Sequence, residues 1–419
     1  MFGAALLASM VQPRIGAPGT RLVDAGLVLC LAVALCQLVP LPPSLRLTLS
    51  PVLPALDRSL HLDAPLDSRS GPPAPLTVDP VSTASAAVLV AAIIAIFWSA
   101  RTLFELGPPR RIARTIAVCG AVAAVLSILQ HATAPKLIYW IWRPVNPGGM
   151  PYGPFVSRND LAAWLVMALP LTLGYILSRA ASRSPAGRGT FDGVPLGALV
   201  DETTIWLLAT IAAMAAGLLA AISRSGLIAG VVATVVFIGL SRSRLTSRGQ
   251  ARLLGGIALV AAVGAMYVNS ATLATRLDET MRVGVGGRRE IWALTWTIVQ
   301  DFWRVGVGVG AYERAMSIYQ PPHLFAFNHA HDEYLQIVAE GGVVLAAAVL
   351  LVVVAGAYEA AKRLAADRSP IFWTRVGAAS GIVAIGVQNI WETGLRMPAN
   401  AVLFAVCAAL ALHGRAPRT

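Results

Sequence analysis

Charge is scarce in this chain. Charged residues fill 13% of its 419 positions, while hydrophobic residues fill 56%. A water-exposed domain carries about a quarter charged residues, so a soluble globule of this length is excluded. Lysine is nearly missing: only Lys136 and Lys362 occur, and arginine supplies the rest of the 33 basic residues. The net charge of +12 has no soluble basic domain to sit in, which removes nucleic-acid binding from consideration. Cysteine is equally thin. Cys30, Cys36, Cys119 and Cys407 all lie in apolar stretches and no two share a loop. Neither a disulfide framework nor a zinc site is indicated. The opening stretch Met1–Gln12 is apolar but too short to span and lacks a charged start, so no cleaved leader is expected.

Long apolar runs are abundant. They fall at Leu22–Pro40, Val81–Ala100, Ile112–Gln130, Leu161–Leu177, Thr204–Ile222, Leu227–Leu240, Leu253–Val268, Tyr334–Ala357, Ile371–Ile390 and Ala399–Leu412. Most come near the ~20 residues that cross a hydrocarbon core, the sixth being short. The pattern predicts an all-α, polytopic membrane protein of about ten transmembrane helices, one integral membrane domain over residues 1–419. The lipid bilayer is thus its first partner.

Arginine placement supplies an orientation. With the amino terminus in the cytoplasm, Arg110, Arg111 and Arg114 fall inside, as do Arg179, Arg183, Arg242, Arg244, Lys362 and Arg363. Cytoplasmic loops collect positive charge. The ten spans alternate without conflict, and both termini are expected in the cytoplasm. The outer side then carries two long loops, residues 41–80 and 269–333. Between them residues 131–157 hold Tyr139, Trp140 and Trp142, which suit membrane-interface anchors. Within the longest loop, Gly286–Trp303 reads as an amphipathic helix lying on or just above the membrane.

Four polar clusters at the outer ends of spans are where chemistry belongs. His329 and His331 stand in the run Asn328–Gln336 with Asp332 and Glu333. An imidazole there can take a proton from a hydroxyl at neutral pH, hold a metal as a pair, or cap the following helix. Ser223-Arg224-Ser225-Gly226 fills the short gap between two spans. Arg224 is therefore either a recessed functional charge or an arginine snorkelling to the interface. Arg288 and Arg289 open the amphipathic helix, where guanidinium groups and a helix N-terminus favour phosphate oxygens, or simply face headgroups. Arg158 and Asn159 begin the fourth span, with Asn159 as a cap or a polar-ligand contact. The run Gly306-Val307-Gly308-Val309-Gly310 lacks the strand–loop–helix context of a nucleotide site and reads as a turn. Several arginines and an imidazole on one face suit transfer from a lipid-borne diphosphate.

These motifs, in this order, resemble the O-antigen ligase/polymerase superfamily (Wzy-C type). The likeness covers about residues 22 to 412. It rests on Gly153–Asn159, Ser223–Gly226, Arg288/Arg289 with Glu290-Ile291-Trp292 and Gly306–Tyr312, and His329–Gln336 with Glu340-Gly341-Gly342. The resemblance implies a GT-C-like helical bundle in the bacterial inner membrane with its active site facing the periplasm, and no cofactor or metal. It implies an undecaprenyl-diphosphate glycan donor and a lipid A core or other glycan as acceptor. By position, His331 is the base, and Arg224 with Arg288 or Arg289 holds the diphosphate; Arg288, four residues before Trp292, is favoured. His329, Asp332, Asn159 and Arg158 support them. The family's catalytic His is usually followed by Asn, where this chain has Asp332. The implied activity is a glycosyltransferase of the O-antigen ligase type. A polymerase of the same superfamily and a lipid-linked glycan transporter are the alternatives.

Overall fold

The computed structural model describes residues 15–16, 19–60, 72–107, 109–143, 151–183, 201–245, 249, 255, 288–321 and 327–413. The regular elements among them are helices: α1 (Arg21–Cys36), α2 (Pro43–Leu49), α3 (Leu53–Leu60), α4 (Pro80–Leu106), α5 (Arg110–Thr133), α6 (Arg158–Ser182), α7 (Glu202–Ala220), α8 (Arg224–Ser241), α9 (288–302), α10 (Tyr312–Tyr319), α11 (Glu333–Ala366), α12 (Ile371–Gln388) and α13 (Pro398–Ala411). Of these, α1, α4 to α8, α11 and α12 are long and apolar enough to cross a bilayer. The run expected to form the tenth span is α13, apolar but only 14 residues long. The seventh expected span, Leu253–Val268, lies outside the described residues apart from Gly255.

The chain divides into two compact units. The first holds Met1–Trp98, Glu279–Glu359 and Asn389–Thr393. In it α1 packs on α11 through Gly26, where an added methyl would lie 2.7 Å from Val352. The one acid within α1, Asp24, is buried and fully occupied. It accepts from the Trp98 indole at 3.0 Å and the Gly16 amide at 2.8 Å, which offsets the cost of placing a carboxylate there.

The loop segments of this unit build a core of their own. Leu53, Leu56, Leu76 and Val78 from the first loop pack with Ile298, Phe302, Val307, Tyr312 and Met316 from the second. Each such side chain contributes about 1.5–3 kcal/mol of burial. The helix expected to lie along the membrane is present as α9, but its apolar face is covered by protein: Ile298, Val299 and Phe302 are buried in that core. Amphipathic spacing dictates that a face must be covered. It does not say by what, and here the first loop's leucines supply the cover.

Two polar devices fasten this core to the spans. Gln37, at the end of α1, donates to the Val305 and Glu340 carbonyls at 2.7 and 2.9 Å and accepts from the Val309 amide at 2.9 Å. The glycine run at 306–310 is the expected turn. Gly306 has φ +71°, and a methyl there would stand 2.2 Å from the Glu340 carbonyl. Opposite it, α11 breaks its helical path at Gly342, with φ 60° and ψ −164°. The Val343 amide turns out of the helix and donates to the Trp303 carbonyl at 2.8 Å.

The second unit holds Ser99–Asp278, Ala360–Gln388 and Gly394–Thr419. Its centre is α6, whose span is 78% buried. A helix apolar all round belongs inside a bundle. α6 and α12 approach closely through small residues: Gly174 sits against the Trp373 carbonyl and Gly377 against that of Pro170. Arg363 and Arg375 donate to the Leu412 and His413 carbonyls at the end of α13, satisfying groups that a helix terminus leaves open.

Candidate functional site

The first unit assembles a cluster around His331. The loop before α11 is held at Ala330, which is fully buried. Its carbonyl accepts from the Trp292 indole at 3.0 Å, and its amide donates to Gln336 at 2.9 Å. Gln336 in turn donates to Glu340 at 2.9 Å. With both sides of Ala330 clamped, the next residue is forced into an uncommon conformation: His331 has φ +52°. A non-glycine residue in that region is strained, and such strain collects at functional sites.

The strained backbone presents the imidazole to a carboxylate. His331 Nδ1 lies 3.8 Å from Glu392 Oε2, and Arg288 Nη2 donates to the other oxygen, Oε1, at 2.7 Å. Glu392 is 8% exposed, while Arg288 and His331 are 33% and 41% exposed. One carboxylate thus gathers the base candidate and one of the twin arginines. It leaves Arg288 with further N–H donors, since a guanidinium carries five. The His331 Nδ1 atom is shielded and has no hydrogen-bond partner among the described residues. A closure of less than about 1 Å would bring it within hydrogen-bond reach of Glu392. Such contacts are often loose before substrate binds.

The neighbouring residues separate by role. Arg289 is the more exposed of the two arginines, about 100° round the first turn of α9 from Arg288, and it is Arg288 that bonds Glu392. Asp332 accepts from the Leu335 amide at 3.0 Å and caps α11. Burial pushes its carboxyl above the ordinary value, against the opposing pull of the Leu335 and Tyr334 amides. Asn and Asp cap helices equally well, which explains how Asp332 stands where the family usually has Asn. His329, two residues before His331, is half-buried.

The second unit carries the remaining expected residues. Ser223 caps α8 by accepting from the Gly226 amide at 3.2 Å, which makes Arg224 the first helical residue. The turn before it passes through Ile222 with φ +47°. Gly226 lies against Ala162 of α6, so the first turns of α6 and α8 are neighbours. Arg158 is likewise the first residue of α6. Two helix N-termini, each opened by an arginine, form a corner that favours negative charge. The cap of α6 is Ser157, which accepts from the Asn159 amide at 3.1 Å. Asn159 itself does not cap; its carbonyl accepts from Gln388 at 3.1 Å.

Residues 209–350 match the family model described as O-antigen ligase. The match covers about a third of the chain, and over that segment the protein is similar to the O-antigen ligase family. No curated protein matches the chain. The matched segment contains Arg224, Arg288, Arg289, His329, His331 and Asp332, while Arg158, Asn159 and Glu392 fall outside it. Together with eight helices long and apolar enough to span a bilayer among the described residues, the match describes a multi-pass membrane protein with a segment similar to O-antigen ligase.

Sequence reasoning passed over Glu392 and Gln37. A lone acid just beyond the ninth apolar run was the available signal for Glu392. Its partners are 104 and 61 positions away, so spacing could not find them. Gln37 falls inside the run Leu22–Pro40, and nothing local points to its distant partners.

Proposed function

We propose that this protein is an inner-membrane glycosyltransferase that moves an undecaprenyl-diphosphate-linked glycan onto an acceptor hydroxyl at the periplasmic face. Its assignment is to the O-antigen ligase type, with the lipid A core as acceptor. The observation that carries the reading is the Glu392 carboxylate, which draws Arg288 and His331 together.

His331 is the general base. With Nδ1 directed at Glu392, its Nε2 takes the proton from the acceptor hydroxyl. The hydroxyl oxygen attacks the anomeric carbon of the donor, and the bond from that carbon to the diphosphate oxygen breaks. Negative charge grows on the departing diphosphate, where Arg288 stabilises it. Arg224 is the second diphosphate ligand, a role that rests on the resemblance and on its place at a helix N-terminus. His329 and Asp332 flank the base, and the resemblance gives Arg289, Arg158 and Asn159 supporting roles. The chemistry draws on no cofactor, and both termini are cytoplasmic.

Deleting the gene and examining the cell's glycans tests the reading. Long chains left on the lipid carrier indicate a ligase. Single repeats attached to acceptor indicate the polymerase alternative. Normal attachment of full-length chains refutes both. Loss of all lipid-linked glycan from the outer leaflet indicates a transporter.

A further inference from the structure

The outward face of α9 carries a pattern that the transfer chemistry leaves unused. Trp296 is 55% exposed and Trp303 is 52% exposed, although the same helix buries Ile298 and Phe302 on its other side. Trp303 follows the last helical residue, and the Gly306 amide still bonds the Phe302 carbonyl at 2.8 Å, so the helical path runs past it. Arg289, Trp296 and Trp303 recur every seventh residue. On a helix that spacing returns to one line, in steps of about 10 Å. Ala293 and Gln300 lie on the same exposed stripe. The line therefore starts beside Arg288, at the cluster with His331, and runs away from it for about 20 Å.

We propose that this stripe is a binding track for the glycan chain of the donor, with Trp296 and Trp303 as stacking platforms. The composition favours a sugar over acyl chains. A lipid-facing helix shows contiguous Leu, Ile and Phe, and here those residues point into protein. The indoles are instead separated by Thr297 and Gln300, with the small Ala293 just before them, all exposed. A pyranose presents C–H groups on its faces and hydroxyls around its rim. Its faces suit an electron-rich indole surface, and its rim suits amide, hydroxyl and guanidinium groups. The step between the indoles matches the length of a disaccharide.

The second platform is also held firmly. Arg304 sits 5.1 Å from the Trp303 ring centroid and donates to the Thr48 carbonyl at 2.7 Å. One side of the indole thus rests on an anchored guanidinium, and a pre-set ring loses little freedom on binding.

This inference rests on the reading of the substrate as a lipid-linked glycan, and the test separates the two. The source cell's own surface polysaccharide, released with mild acid, is fractionated into single-repeat and many-repeat pools. Binding of each pool to the detergent-solubilised full chain is read by saturation-transfer NMR. Wild type is expected to bind the long pool. Trp296→Ala and Trp303→Ala are each expected to weaken that binding at least fivefold, with Trp303→Tyr restoring most of it and the single-repeat pool unaffected. In a reconstituted transfer assay the same alanine variants should raise KM for long-chain donors while leaving turnover of single-repeat donors unchanged. Equal binding of the long pool by wild type and both alanine variants overturns the track. So does a defect that is the same for both pools, or weakened liposome association in its place, which would make the indoles membrane anchors. If wild type binds the long pool but transfers no glycan from any donor, the track survives and the transferase reading fails.

Discussion

Replacing Glu392 by glutamine isolates what its charge does. The amide keeps the shape of the side chain, so packing at this buried position is preserved. What it removes is the negative charge that accepts from Arg288 at 2.7 Å and faces His331 Nδ1 at 3.8 Å. A hydrogen bond to a charged group contributes about 1.5–3 kcal/mol net. Arg288 is 33% exposed, and solvent screening draws the figure toward the lower end. At about 1.4 kcal/mol per tenfold, Glu392→Gln is expected to slow transfer roughly 10- to 100-fold. The assay is steady-state transfer by purified protein in liposomes, with a labelled acceptor and a thermal melt to confirm folding. The loss should fall mainly on kcat, because an imidazole without its guide still occupies the site but turns. Glu392→Asp, which keeps the charge on a shorter stem, should retain more activity than the glutamine variant. A folded Glu392→Gln protein within threefold of wild type would refute the argument that this carboxylate organises the site.

Further tests address other parts of the molecule. Arg224→Lys keeps one positive charge but loses the planar fork, and is expected to weaken donor affinity at least tenfold if the contact to phosphate is bidentate. Donor affinity measured by competition with a lipid diphosphate decides it, and an unchanged value would make Arg224 a snorkelling residue. Asp79 caps α4, accepting from the Ser82 amide at 3.1 Å and hydroxyl at 2.7 Å. Burial works against its ionisation, but Ser82, the Val81 amide and Arg314 outweigh it and hold the carboxyl below its ordinary 3.8. Its contribution to stability is therefore present above about pH 4 and lost as pH falls through the lowered value. Between pH 6 and pH 3 the melting temperature of Asp79→Asn should fall less than that of wild type, and parallel falls would contradict this. Gly306→Ala forces a methyl to 2.2 Å from the Glu340 carbonyl at φ +71°, and should destabilise the first unit by at least about 2 kcal/mol. A melting temperature equal to wild type would show that the turn relaxes freely.

The spans were legible because hydrophobic runs of span length have few other uses, and eight of them are helices of sufficient length. The shortness of α13 was legible too, since its apolar run Ala399–Leu412 holds only 14 residues. The Ser223 cap and the glycine turn were legible as local chemistry. Asn159 was misjudged as a cap because Ser157, two residues earlier, takes that role. His331 and Arg288 were legible as motif members, but their meeting was not, because Glu392 joins them over long sequence separations. The core built by the loop segments was hidden for the same reason. Leu53 and Leu76 sit in a proline-rich loop with no periodicity, and their partners on α9 lie more than 200 residues away.

The most direct measurement is transfer by His331→Ala, reconstituted in liposomes with lipid-linked donor and free acceptor, together with its donor affinity. A positioned general base contributes about 100- to 10,000-fold. The expected result is a loss of that size in kcat, with donor affinity near wild type because Arg288 and Arg224 remain. Transfer within a few-fold of wild type by a correctly folded His331→Ala protein would contradict the central claim that this imidazole takes the acceptor's proton.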